Sequence, residues 1–154
     1  MRKRGDVYPT RLSARIRLGP TILVDLLQAL AELAIARIRL PGAKARDLLR
    51  SPLPPVCGTR LVARADAAHR LIDRVAFAIP CMGARVPWRA DCLVQAMAAQ
   101  RWLSSRGVAT SLVVGVRKPA AADFGAHAWL MAGGRVVTGG EVSPYKPIFQ
   151  QSDD

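Results

Sequence analysis

Aromatic residues are scarce in this chain: three Trp, two Tyr and three Phe among 154 residues. That scarcity matters because the formal charge of +12 would otherwise suggest nucleic acid as a partner. Proteins that hold nucleic acid gather Lys and Arg into a patch or stripe, and single-strand binders add rings that stack on bases. Here only Lys3, Lys44, Lys118 and Lys146 are lysines, the arginines are spread along the chain, and no aromatic sits inside a basic run. Dispersed arginine can equally follow from coding composition. It stays compatible with an acidic protein or peptide partner, whereas nucleic acid is not expected.

Other absences narrow the class further. The three cysteines, Cys57, Cys81 and Cys92, have no metal-ligand spacing and leave one over in any disulfide scheme. Neither a phosphate-binding glycine loop nor a cluster of metal ligands is present, so no cofactor and no metal are expected. The basic start, Met1 to Arg4, is not followed by an apolar stretch, so no cleavable signal is read and a reducing cytoplasm is the expected compartment. The longest leucine-rich stretch, Thr21–Leu40, contains Asp25, Glu32, Arg37 and Arg39. Each would cost roughly 2.5–3.5 kcal/mol at a bilayer centre, which rules out a spanning helix.

What is present is a chain with enough apolar content, 51%, to fold as one domain without disulfide staples. Residues 1–19 read as a basic, frayed terminus. Pro20 suits the first turn of a helix that Pro41-Gly42 ends, and Leu23, Leu26, Leu27, Leu30 and Leu33 recur along it at helical spacing. That amphipathic helix packs on its own domain or a partner, with a membrane surface as the sharper alternative. A short helix over Ala43–Leu49 and a proline-rich linker, Ser51–Pro55, complete a region spanning 20–60. From Leu61 to Ile79, the residues Ala65, Ala68, Leu71, Ile72, Val75 and Ile79 trace a second helical stripe. A loop is expected from Pro80 to Arg89, and a third helix from about Asp91 to Ser105 with Gly107 as its cap.

After Gly107 the period changes to that of strands: Val108–Arg117, Ala126–Ala132 and Arg135–Gly139, the last two joined by a Gly133-Gly134 turn. Helices first and strands second indicate an α+β fold, with a small antiparallel sheet in the C-terminal half. Residues 61–150 form the expected core, and 20–150 one folded unit.

Two residues in this plan have chemical potential. Asp91 is suited to cap the third helix, which would put Cys92 in its first turn, where unpaired N–H groups and the helix dipole favour a thiolate. Ala96, Ala99 and Leu103 share the face of Cys92, so that face can pack closely on a sheet. A free cysteine is also a common small hydrophobe in cores, which is the better reading of Cys57 and Cys81. His127 lies in the strand Ala126-His127-Ala128-Trp129-Leu130-Met131, on the face of Trp129 and Met131. The other histidine, His69, lies mid-helix beside Arg70 and reads as a solvated or packing residue. A Cys-His pair needs both members: imidazole takes the thiol proton, thiolate attacks a carbonyl, and imidazolium protonates the leaving amine.

Residues 75–148 resemble the transglutaminase-like cysteine peptidase that removes leader peptides in lasso-peptide biosynthesis, the B-type maturation protein in its stand-alone form. The resemblance is carried by Pro87-Trp88-Arg89-Ala90-Asp91-Cys92-Leu93-Val94-Gln95-Ala96, Leu103–Val108, Leu112–Val116, Ala126-His127-Ala128-Trp129-Leu130 and Tyr145-Lys146-Pro147-Ile148. Thr21–Leu40 resembles that family's first helix. The resemblance implies a transglutaminase-like, papain-like core with catalytic Cys92 and His127. The reaction would be hydrolysis of a precursor peptide, freeing the core's amine for macrolactam formation by a separate ATP-dependent cyclase. No leader-recognition segment is read ahead of the peptidase region, so a separate leader-recognition protein is expected as a partner.

Enzymes of this kind usually carry an aspartate on the strand after the histidine. With a two-residue turn at Gly133-Gly134, His127 would pair with Gly140 and lie diagonal to Thr138, and neither is a carboxylate. Glu141, brought round by a bulge, is favoured slightly over Asp123, with a Thr hydroxyl, a backbone carbonyl or a water as other ring partners. The Cys92 N–H is the natural oxyanion donor, with a second from Trp88–Asp91. Trp88 reads as a core or rim aromatic, and Trp129 as a neighbour that shields His127. A Cys-His acyl transferase and a non-catalytic scaffold of the same pathway are the competing readings.

Overall fold

A computed structural model describes residues 20–40, 61–117 and 125–152. The expected helix at 43–49, the 51–55 linker, Cys57 and Asp123 lie outside them.

The first helix, α1, spans Pro20–Arg39, but its buried face takes in only part of the leucine stripe, Leu33 with Leu26 packed beside it. Asp25, Ala29, Glu32, Leu33 and Ala36 are buried, while Leu23, Val24, Leu27 and Ile38 are more than half exposed. Positions 25, 29, 32, 33 and 36 fall on one helical face. The two alanines let α1 lie close to its neighbours, and two arginines make burial of the acids tolerable. Arg74 donates to Asp25 from Nε at 2.7 Å and also from Nη2. Arg101 Nη1 reaches Glu32 Oε2 at 3.4 Å, and Gln28 donates to the same carboxylate at 2.8 Å. The Asp25 bond is the main cause of a raised Arg74 pKa, so that guanidinium stays charged.

The second helix, α2, runs Leu61–Gly83 with Pro80 inside it, past the expected end at Ile79. An interior proline costs about 3 kcal/mol through a lost hydrogen bond and a clash with the preceding turn. Burial of Val75, Ala78 and Ile79, with Met82 packed against the same core, opposes that cost. Each large apolar side chain so buried contributes roughly 1.5–3 kcal/mol. The third helix, α3, spans Cys92–Ser104. Its chain reversal is closed by Gly107, at φ 72°, with Val108 N donating to Leu103 O at 3.1 Å.

Four antiparallel strands follow: β1 (Ser111–Arg117), β2 (Gly125–Ala132), β3 (Arg135–Thr138) and β4 (Lys146–Ser152), in the order β3-β2-β1-β4. The fourth strand was not expected from the sequence. Gly133 and Gly134, at φ 57° and 76°, form the tight β2–β3 turn that two positive-φ residues allow. Both edges are irregular, which discourages further pairing. The β3 strand has four residues, and β4 carries Pro147 and a register shift opposite Val114/Gly115. α1 packs on α2 and α3, and α3 packs on β1, β2 and β3. One apolar core joins Leu33, Ile72, Ile79, Val94 and Trp102 to Leu112, Leu130, Ala132 and Val137 of the sheet. Among the described residues no helix is long and apolar enough to cross a membrane.

Candidate active site

The thiol side begins with Asp91, which caps α3 as its residue type and extended backbone require. Its Oδ1 accepts from Val94 N at 3.3 Å and its carbonyl from Gln95 N at 3.0 Å. The N–H groups of Cys92 and Leu93 precede the first intrahelical bond, so they remain available to an oxyanion. Cys92 is a free, half-buried thiol in that first turn, with Ala96, Ala99 and Leu103 fully buried along the same face. Gln95, one turn on, donates from Nε2 to Ala90 O at 2.7 Å and so braces the loop that leads into Cys92. Nothing in the residue pattern marks Gln95 for this contact. Trp88 is partly buried against the core, as a rim aromatic would be.

On the sheet, His127 pairs with Gly115 of β1 and is half-buried. Its Nε2 lies 2.6 Å from the main-chain oxygen of Gly139. A carbonyl has no hydrogen to give, so this is a hydrogen bond only with the proton on Nε2. In the neutral ring, Nδ1 is then the basic nitrogen. The ring stacks on Trp129, centroids 6.1 Å apart, and meets Tyr145 at 4.8 Å and 33°.

Two glycines make this packing fit. A Cβ on Gly115 would stand 2.8 Å from Trp129 Cζ3 and Cη2, so the indole lies across that bare backbone. A Cβ on Gly139, at φ +114°, would overlap Trp129 Cβ and sit 3.3 Å from His127 Nε2. Gly140, at φ 64°, continues the bend.

The β2–β3 register also differs from the expected one. Ala132 pairs with Arg135 and Met131 with Val136, but Leu130 pairs with Thr138, leaving Val137 as an extra residue. This bulge shifts the rest of β3 by one position, and the strand ends at Thr138, so the expected His127–Gly140 pair is not made. Glu141 does not turn to the imidazole. Its Oε1 accepts from Ser143 N at 3.0 Å, and hydrogen bonding from Ser143 holds its carboxyl below the ordinary range. The ring's hydrogen-bond partner among the described residues is therefore a backbone carbonyl.

Alternation along β2 sets His127 and Trp129 on the opposite face from Leu130 and Ala132, which join the helical core. α3 and β2 are packed neighbours, yet among the described residues no hydrogen bond joins Cys92 Sγ to the imidazole. Cys81 is half-buried rather than a core residue, and its sulfur accepts from Arg85 Nη1 at 3.0 Å. His69 is exposed on α2, near the Gly133 turn.

A half-buried cysteine in a first helical turn, packed on an antiparallel sheet that carries a tied histidine, can now be set beside known families. The family model of the transglutaminase-like superfamily matches residues 29–150, a span that holds both residues and the Gly139 turn. The chain belongs to the transglutaminase-like superfamily. No curated protein and no solved structure matches it. The superfamily includes cysteine proteases, and the three helices followed by a four-stranded antiparallel sheet are the fold of a transglutaminase-like domain.

Proposed function

We propose that the chain is a cysteine peptidase that cleaves the leader from a ribosomally made lasso-peptide precursor, with Cys92 as nucleophile and His127 as base. The observation that carries the enzymatic part is the His127 bond to Gly139, which leaves one ring nitrogen free to take a proton, within a superfamily that includes cysteine proteases. The pathway is supported by the five segments from Pro87 to Ile148 that resemble the leader peptidase.

The chemistry runs in two halves. The thiol proton passes to the imidazole, and the Cys92 sulfur attacks the scissile carbonyl while the N–H groups at the start of α3 donate to the oxyanion. The imidazolium then protonates the departing amine of the core peptide, leaving a thioester on Cys92. Water, activated by the same imidazole, attacks that thioester and releases the leader as a carboxylate. The oxyanion donors cost nothing extra, because a helix start has unpaired N–H groups in any case. A separate leader-recognition protein and the precursor are the partners this reading calls for.

Incubation of a precursor peptide with the chain and an adjacent leader-binding protein, followed by mass spectrometry, tests the proposal. Cleavage at one bond, lost in Cys92→Ala and in His127→Ala, is the expected result. Cleavage surviving Cys92→Ala would end the nucleophile assignment. A leader that ends in a new amide rather than a free carboxylate would establish acyl transfer instead.

A further inference from the structure

We propose that the main-chain carbonyl of Gly139 is the positioning group of His127, standing where a carboxylate would be expected, and that it commits Nδ1 to serve as the base. The inference rests on the peptidase reading for its catalytic meaning, but its geometry stands apart from it.

The surroundings of that oxygen support the assignment. Beyond the Val137 bulge Leu130 pairs with Thr138, so Gly139 follows beside Trp129 and its carbonyl reaches back to His127. Gly139 adopts φ +114°, a conformation open to glycine, and the absence of a Cβ lets its backbone come within 2.6 Å of Nε2. A side chain at 139 would have to displace Trp129, so a carboxylate could not be added there without moving the ring that backs the imidazole. Glu141, the nearest acid along the chain, is occupied by Ser143. Tyr145 then closes on the imidazole at 4.8 Å and resists rotation of the ring once the hydrogen bond is made.

A carbonyl suits this task because it can only accept. In serine peptidases, exchanging the triad aspartate for asparagine costs about 10⁴-fold, because the amide favours the wrong tautomer. A main-chain oxygen cannot make that error. It supplies orientation and tautomer without a formal charge, so the pair works as a dyad anchored on the backbone. Because it is backbone, no side-chain substitution deletes it, and only changes that move the Gly139 peptide can disturb it.

The chain has two histidines, so ¹⁵N-histidine labelling with a His69→Gln control assigns the His127 signals without ambiguity. The native chain is expected to show the proton on Nε2 with Nδ1 bare. In Gly139→Ala the added Cβ should push the peptide away from the ring. Both tautomers should then appear, and alkylation of Cys92 near neutral pH should slow by about tenfold or more, as loss of an oriented base requires. Tyr145→Ala removes a ring that resists rotation of the imidazole and should move both readouts in the same direction. A native ring protonated on Nδ1 would overturn the proposal, and that measurement needs no variant to fold. So would a folded Gly139→Ala chain with unchanged tautomer and unchanged alkylation. If native Cys92 reacts no faster than an ordinary thiol, the peptidase reading fails, while the tautomer still decides the role of Gly139.

Discussion

In the helical layer the carboxylates of Asp25 and Glu32 are buried, and each meets an arginine, Asp25 one from α2 and Glu32 one from α3. At the end of the sheet His127 is only half-buried, is held by one main-chain oxygen and two rings, and keeps one nitrogen free of that bond. The contrast separates two uses of polar groups. Between helices, burial carries a desolvation penalty of several kcal/mol per ion that only a partner offsets, so Asp25 is engaged through both of its oxygens. A group meant to accept a proton cannot be satisfied in that way, because it must keep a site open. The Cys92 thiol fits the second pattern: half-buried, in a first helical turn, beside N–H groups that the helix cannot pair.

Substitutions should separate the two regions by what each loses. Cys92→Ala and His127→Ala should lower leader cleavage by about 10⁴-fold or more while changing stability by no more than about 1 kcal/mol, compared by single-turnover kinetics and urea unfolding. Arg74→Ala should do the reverse. It strands the buried Asp25 carboxylate and should destabilise the fold by about 1–3 kcal/mol, the full cost of an unpaired buried charge being reduced because Arg74 is half exposed. Cleavage per folded molecule should not change. Adding Asp25→Asn to Arg74→Ala should recover part of that loss in a double-mutant cycle, since no charge is then left unpaired. Asp91→Ala touches both regions, and should cost about 1 kcal/mol through the lost cap along with some cleavage, because Cys92 is the next residue.

The smallest effect should come from Glu141. Its carboxyl is held below its ordinary value of 4.5, so its stabilising contribution is complete above that value and is lost as pH falls through the lowered one. Thermal stability of the native chain and of Glu141→Gln should therefore differ above pH 4.5 and converge in stronger acid. Leader cleavage near neutral pH should be the same in both. A large loss of cleavage in Glu141→Gln would return that carboxylate to the imidazole and remove the role given to Gly139.

Much of the layout could be read from residue pattern. Asp91 before a run of small and apolar residues marks the start of α3, and Gly133-Gly134 between two β-branched or apolar runs marks a hairpin. The helix-then-strand order marks the α+β class. The parts that escaped were decided by tertiary contacts. In α1, pattern alone favours burying leucines, but Arg74 and Arg101 come from 49 and 69 residues away to pair Asp25 and Glu32, which puts the acids inside. The Pro80 stop was overridden by Ala78 and Ile79, buried before it, and by Met82, packed against the same core after it. Lys146–Ser152 lacks clean alternation and contains Pro147, tolerable because β4 is an edge strand with a register shift. The partner of His127 is a main-chain oxygen just past the end of β3, and neither a backbone carbonyl nor the bulge at Val137 leaves a side-chain signal in the sequence.

The pairing of Cys92 with His127 is open to a direct chemical test. A short bifunctional haloketone alkylates a reactive thiol first and then bridges to a nucleophilic nitrogen within its reach. Peptide mapping of the native, full-length chain should then recover one cross-link, from Cys92 Sγ to His127 Nδ1, formed faster than any adduct at Cys81. A mono-adduct on Cys92 with no bridge would contradict the proposed pair, and a bridge to Nε2 would contradict the orientation given to the ring.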